Sequence, residues 1–130
     1  MEYLFKGKTV GNINTKDGLW VFGLPFYKEE KIGGIESKDG KLYTVIPETI
    51  GQFTGLTDKN GKKIFEGDIV QGTIVSAWNK ALICCEVVYN KGGFISVERT
   101  RNQDWVHKVK FAKDIEVIGN IHDNPELLGE

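Results

Sequence analysis

Apolar residues in this chain recur at every second position, in runs too short for helices. In Ala81–Tyr89 the odd positions Ile83, Cys85, Val87 and Tyr89 are apolar or aromatic, and Glu86 falls among the even ones. Ile95 and Val97 alternate with Ser96 and Glu98, and Ile115 and Val117 alternate with Asp114 and Glu116. Trp105, His107, Val109 and Phe111 share one phase, while Lys108 and Lys110 take the other. Successive side chains of a strand point to opposite faces, so this period predicts sheet with one dry and one wet face. Ile95 and Val97 then belong to the dry side, and Ser96 and Glu98 to the wet one.

Turn chemistry separates the runs. Thr15-Lys16-Asp17-Gly18, Lys38-Asp39-Gly40, Lys59-Asn60-Gly61 and Asn90-Lys91-Gly92-Gly93 supply residues that tolerate the positive φ of tight hairpins. Between and after them lie Leu19–Tyr27, Lys41–Ile46, Ile64–Val75, Ala81–Tyr89, Phe94–Thr100, Val106–Phe111 and Asp114–Ile118. With no sustained amphipathic helical pattern, this spacing predicts an all-β sandwich or barrel. The run LWVFGLPFY, 19–27, breaks the alternation because it is apolar and aromatic on both faces. That fits a strand buried on both sides, or an edge covered by another chain. Pro25 lacks a backbone donor, which predicts an edge or a bend at the far end. A change in regularity near Pro47 separates an irregular N-terminal β segment, 1–47, from a more regular part, 48–130. The closing HDNPELLGE offers Asn124 as a helix N-cap and Pro125 as the first helical residue, predicting a short C-terminal helical turn that pins Leu127 and Leu128.

Composition narrows the classes of function. A chain of 130 residues with 40% hydrophobic and 27% charged residues is ordinary globular material for one domain, able to build a core without a metal or disulfide staple. Seventeen basic and eighteen acidic side chains give a net charge of −1, which weighs against a protein living off phosphate contacts. Cys84 and Cys85 are adjacent, so in a strand they point apart and do not pair; they read as small apolar fillers in a reducing compartment. No apolar run is long enough to span a membrane, and the opening MEYLFKGKTVGN lacks the pattern of a secretory signal. The expected location is the cytoplasm.

The densest cluster of small and acidic residues is TGLTDKNGKKIFEGDIVQG, 54–72. Asp58 to Gly61 reads as a reversal in which Asp58 accepts backbone amides and Asn60-Gly61 takes left-handed φ. Glu66-Gly67-Asp68 reads as a second bend, with Asp68 capping free amides before Ile69 and Val70. The glycine spacing matches neither a dinucleotide fingerprint nor a P-loop. Gly55, Asp58, Gly61, Gly67 and Asp68 are therefore expected to shape turns rather than to hold a ligand.

The same residues resemble a known family. Phe53-Thr54-Gly55-Leu56, Asp58-Lys59-Asn60-Gly61-Lys62-Lys63-Ile64 and Glu66-Gly67-Asp68-Ile69-Val70 are similar to the central signature of the YopX family of phage- and prophage-encoded proteins. Val117-Ile118-Gly119-Asn120-Ile121 and Asn124-Pro125-Glu126-Leu127-Leu128 extend the resemblance, which covers about residues 47 to 128. It implies a mainly β fold containing a small SH3-like barrel and a phage or prophage origin. It implies no reaction.

Candidate chemistry is sparse. The histidines are His107, in register with core residues, and His122, beside Asp123; neither has a local nucleophile and orienter, and together they make no metal site. Glu29-Glu30 sits in the charged run KEEK, the signature of a wet loop. No cofactor, metal or catalytic residue is expected, and the protein reads as a binding module rather than an enzyme. Trp20, Phe22, Phe26 and Trp78 are the residues expected to meet a protein partner or a second copy in a homo-oligomer. The alternative is a small β-barrel that binds single-stranded nucleic acid through Lys80, Arg99, Arg101, Lys108 and Lys110.

Overall fold

A computed structural model of the chain describes residues 4–10, 18–75, 80–90, 93–98, 105–107 and 114–128. The described residues are mainly β: eleven strands and two 3-10 turns, with no α-helix among them. Two compact units, Met1–Phe53 and Thr54–Glu130, divide the chain inside one strand.

In the first unit, β1 (Phe5–Lys8), β2 (Trp20–Lys28), β3 (Lys31–Glu36), β4 (Leu42–Thr44) and the start of β5 (Gly51–Thr57) form an antiparallel sheet in the order β4-β3-β2-β1-β5. β2 is flanked by β1 only as far as Gly23; beyond it β3 is the neighbour among the described strands, and Pro25 lies in that half, opposite Ile35. The missing Pro25 donor is tolerated where one side of the strand has no ladder to complete. One face of this sheet is dry: Ile35 and Val45 are buried on it, and Gly7 lets Val45 approach to within 3.0 Å of where a Cβ would stand. The 3-10 turn Pro47–Thr49 follows, and the Thr49 hydroxyl accepts the Lys8 amide at 2.8 Å while donating to the Ile46 carbonyl at 2.6 Å.

The second unit contains the rest of β5, β6 (Lys63–Phe65), β7 (Asp68–Val75), β8 (Lys80–Asn90), β9 (Gly93–Glu98), β10 (Trp105–His107) and β11 (Glu116–Asn120). Its five-stranded antiparallel sheet runs β10-β9-β8-β7-β11, and as paired it does not close on itself. The core gathers Ile64, Val70, Cys85, Val87 and Ile115, with Ile83 and Val117 packed against it. The phase read for β8 and β11 holds at these residues. β9 differs. Ser96 stands directly opposite Val87 and is buried, so the dry side of this strand includes the hydroxyl residue that the alternation had placed in water. Tyr89, expected inside, is exposed and meets Phe94 edge-on with ring centroids 5.1 Å apart. Directly opposed aromatics on a strand pair stabilise each other without a core to enter.

Strands β1, β3 and β5 had no counterpart among the runs read from the pattern. FKGK places lysines at alternate positions, KIGGIE carries two glycines, and GQFTGLT carries glycines that suggest a turn. At the other end, Pro125–Leu128 forms a 3-10 turn. Asn124 precedes it, yet its side-chain oxygen accepts the Asn120 amide at 3.3 Å rather than capping the turn.

The β2–β3 hairpin has a two-residue loop, because Lys28 pairs with Lys31. Glu29 and Glu30 have φ of 53° and 66°, the double left-handed geometry of a type I′ turn. Such turns favour Asn-Gly, and an L-residue with a Cβ pays roughly 1–2 kcal/mol for the left-handed region. Replacing Glu29→Asn together with Glu30→Gly is expected to raise stability by about 1 kcal/mol, seen as a higher urea midpoint at unchanged slope.

Candidate functional site

The register of β2 sorts its side chains by size. Trp20, Phe22, Leu24 and Phe26 alternate onto one face, and the smaller Val21, Gly23 and Pro25 onto the other. Residues directly opposed in an antiparallel pair share a face, so Lys8 joins Trp20, Lys6 joins Phe22, Glu36 and Leu42 join Leu24, and Gly34 and Thr44 join Phe26. This face is not dry. Phe22 is 46% exposed, Leu24 53% and Leu42 63%. Phe26 is half-buried because its ring lies on the bare backbone of Gly34, where a Cβ would stand 2.8 Å from the ring. Trp20 is half-buried as well, and the Lys6 ammonium sits 4.7 Å from its ring centroid. A desolvated ammonium over an indole is attracted by the ring quadrupole, which fixes both side chains and occupies one face of the ring. Covering what remains exposed of each of these side chains contributes about 1 kcal/mol, so the face is disposed to be covered.

The residues expected at turns have a different geometry. Asp58 is buried, and its carboxylate accepts three backbone amides: Asn60 and Lys62 at 2.9 Å on Oδ1, and Val117 at 3.0 Å on Oδ2. Two of these close the β5–β6 reversal, and the third fastens it to β11. Burial opposes the charge, but the three amides and the nearby Lys62 outweigh it and hold the Asp58 carboxyl below its ordinary value. Asp68 is buried and accepts the Phe65 amide at 2.8 Å, spanning the Glu66-Gly67 bend. Gly67 itself has φ of 92°; its amide donates to the Val87 carbonyl at 2.8 Å and its carbonyl accepts the Ile121 amide at 2.9 Å. Gly61 also has positive φ, 83°, whereas Gly55, expected at a turn, takes its φ of 89° inside strand β5. Asp114 accepts the Thr73 amide at 2.9 Å and the Thr73 hydroxyl at 2.7 Å; the hydroxyl and amide lower its carboxyl's pKa.

Three of the four aromatic residues named from the sequence, Trp20, Phe22 and Phe26, therefore share one face. The fourth, Trp78, lies outside the described residues, as do Arg99, Arg101, Lys108 and Lys110. Lys80 opens β8, its backbone opposite Val75. Leu24, Leu42, Lys8 and Glu36 were missed as members of the face. The signal was present in part: in 20–26 the large residues hold the even positions and the small ones the odd, which a count of apolar residues overlooks. The His122 amide donates to the Asn120 side chain at 3.0 Å. Among the described residues, no three His, Cys, Asp or Glu side chains converge as a metal site, and no helix is long and apolar enough to cross a membrane.

What fold and site define is an antiparallel β protein with an open apolar sheet face and carboxylate-locked turns. The chain belongs to the YopX protein family, which matches residues 2–129. It is similar to protein EF1440 from Enterococcus faecalis, known as a crystal structure, with 28% identity over 98% of this chain and 75% of that chain and a TM-score of 0.44. A comparison with curated protein sequences finds no match.

The Asp58 lock has a definite pH signature. A carboxyl whose folded value is depressed contributes stability in full above its unfolded value, 3.8, and loses it as pH falls through the lower folded value. Asp58→Asn removes the charge and one of the acceptor groups, and is expected to cost about 1–3 kcal/mol at neutral pH. In urea unfolding, the gap between parent and variant should narrow as pH drops below the unfolded value.

Proposed function

We propose that this protein is a phage- or prophage-derived accessory protein that acts in the host cytoplasm by non-catalytic protein contact, through the open face of the N-terminal sheet. The observation that carries this reading is the exposure of Phe22, Leu24 and Leu42 on one face, beside Trp20 and Phe26. Contiguous exposed apolar side chains on a rigid sheet are costly to leave in water and are a common mark of an interaction site. Family membership supports the origin, and Cys84 and Cys85, neither joined in a disulfide, suit a reducing compartment. In this reading the second unit is an SH3-like module. Supporting that, β7 to β10 form a meander and β11 returns to pair with β7, the strand order of an SH3-like sheet.

The single-stranded nucleic acid alternative gains Lys6 and Lys8 beside Trp20 and Phe22, but Lys6 is buried on the Trp20 ring and the open positions are aliphatic as often as aromatic. Base stacking requires free aromatic faces in a positive groove. Immobilised protein is expected to retain a host or phage protein, and Phe22→Ala with Leu24→Ala should weaken that retention about tenfold or more without altering the unfolding curve. Unchanged retention by the double variant, or salt-sensitive retention of a single strand in place of a protein, contradicts the reading.

A further inference from the structure

We propose that Asn60-Gly61 is a self-modification site, where a slow deamidation is held off by Asp58 for as long as the β5–β6 reversal stays closed. Asn-Gly occurs once in this sequence. An asparagine before glycine is reactive in an open chain, because no Cβ on the following residue obstructs ring closure. The step needs only water and hydroxide. The Gly61 amide nitrogen loses its proton to hydroxide and attacks Cγ of Asn60. The Cγ–Nδ2 bond then breaks and ammonia leaves, giving a five-membered succinimide. Water opens either carbonyl of that ring, leaving aspartate or isoaspartate at position 60, with no oxidation or reduction at any stage.

The loop is open to solvent, yet both reacting groups are tied. Asn60 and Gly61 are exposed, and nothing lies within 4 Å of where a Gly61 Cβ would stand, so water and hydroxide reach them. Lys59, Asn60 and Gly61 form a three-residue hairpin loop, closed by the Asp58 amide donating to the Lys62 carbonyl at 2.8 Å. The attacking nitrogen donates to the Asp58 carbonyl at 3.0 Å, and a donated hydrogen bond opposes loss of that proton. The leaving nitrogen, Asn60 Nδ2, donates to Glu116 Oε2 at 3.3 Å. Asp58 Oδ1 holds the Asn60 and Lys62 amides on either side of the reacting pair at 2.9 Å. Two more bonds fasten the loop: Val117 donates to Asp58 Oδ2 at 3.0 Å, and Lys59 donates to the Ile115 carbonyl at 2.9 Å. Cyclisation requires these bonds to release, so its rate follows the population in which the reversal is open. The products do not fit the closed loop. Aspartate at position 60 puts a like charge where Glu116 had a donor, and isoaspartate lengthens the main chain between the two amides that Asp58 Oδ1 gathers. Each conversion is one-way and leaves the second unit with a loosened reversal.

The test is incubation of the full chain in mildly alkaline buffer, with peptide mass spectrometry that separates asparagine, aspartate and isoaspartate at position 60. The same chain in urea gives the rate without the fold. The folded parent is expected to convert about tenfold more slowly than that, or slower still. Asp58→Ala, which removes the carboxylate without adding a new amide, should convert about tenfold faster than the parent while folded, because losing these acceptors raises the open population. If Asp58→Ala is unfolded by circular dichroism, Glu116→Ala takes its place and should convert severalfold faster than the parent. Converted parent, isolated by its extra negative charge, should unfold at a lower urea midpoint. Conversion in the folded parent as fast as in urea overturns the inference, as does a folded variant that converts no faster than the parent. Absence of conversion at position 60 in urea, or converted protein with an unchanged midpoint, overturns it equally.

Discussion

The registry of β2 between β1 and β3 is the constraint on which the exposed chemistry of this protein depends. A shift of one residue would carry Trp20, Phe22, Leu24 and Phe26 to the side now occupied by Val21, Gly23 and Pro25. The dry side could not accept them. Ile35 is fully buried there and Val45 presses against Gly7, so the small odd residues of β2 are what fits. The register is held from both ends: by the two-residue loop at Glu29-Glu30, and by the Lys6 and Lys8 pairs with Phe22 and Trp20. An apolar face is left in solvent because the alternative is a worse clash inside.

In the second unit the carboxylates serve the backbone. Asp58, Asp68 and Asp114 each accept at least one main-chain amide from a reversal or a neighbouring strand, and Asp58 accepts three. A buried amide without an acceptor costs about 1–3 kcal/mol, so the buried Asp58 and Asp68 stabilise the bends they span. The same carboxylates that would suit a cation are engaged by main-chain amides of the chain itself. Gly67 shows the other half of the device: with its positive φ, its amide donates to Val87 and its carbonyl accepts from Ile121, joining a strand and the segment after β11 through a single residue.

The second unit was the more legible in sequence. There Cys85, Val87, Ile115 and Val117 follow strict alternation, and turn residues stand between the strands, so period and punctuation agree. Ser96 escaped because a small hydroxyl opposite Val87 fits a crowded interior as well as a wet surface. The first unit was harder to read. Its sheet uses lysines whose stems lie along apolar neighbours and glycines that admit a ring or a backbone, and neither registers as a strand former. Trp20, Phe22 and Phe26 were identifiable as unusual, but Glu36 reaches their face only by pairing with Leu24, and Leu42 only by pairing with Glu36, partners that a linear pattern does not contain.

The most direct test of the account is the solvent access of the two faces of β2 and its neighbours, read by thiol labelling at dilute protein in a Cys84→Ser background. Leu24→Cys and Leu42→Cys are expected to label at close to the rate of an unstructured thiol, while Ile35→Cys stays protected until the chain unfolds. Rapid labelling at Ile35 with protection at Leu24 and Leu42 in the monomer would mean that the sheet presents its other face, and the assignment of the contact surface would fail.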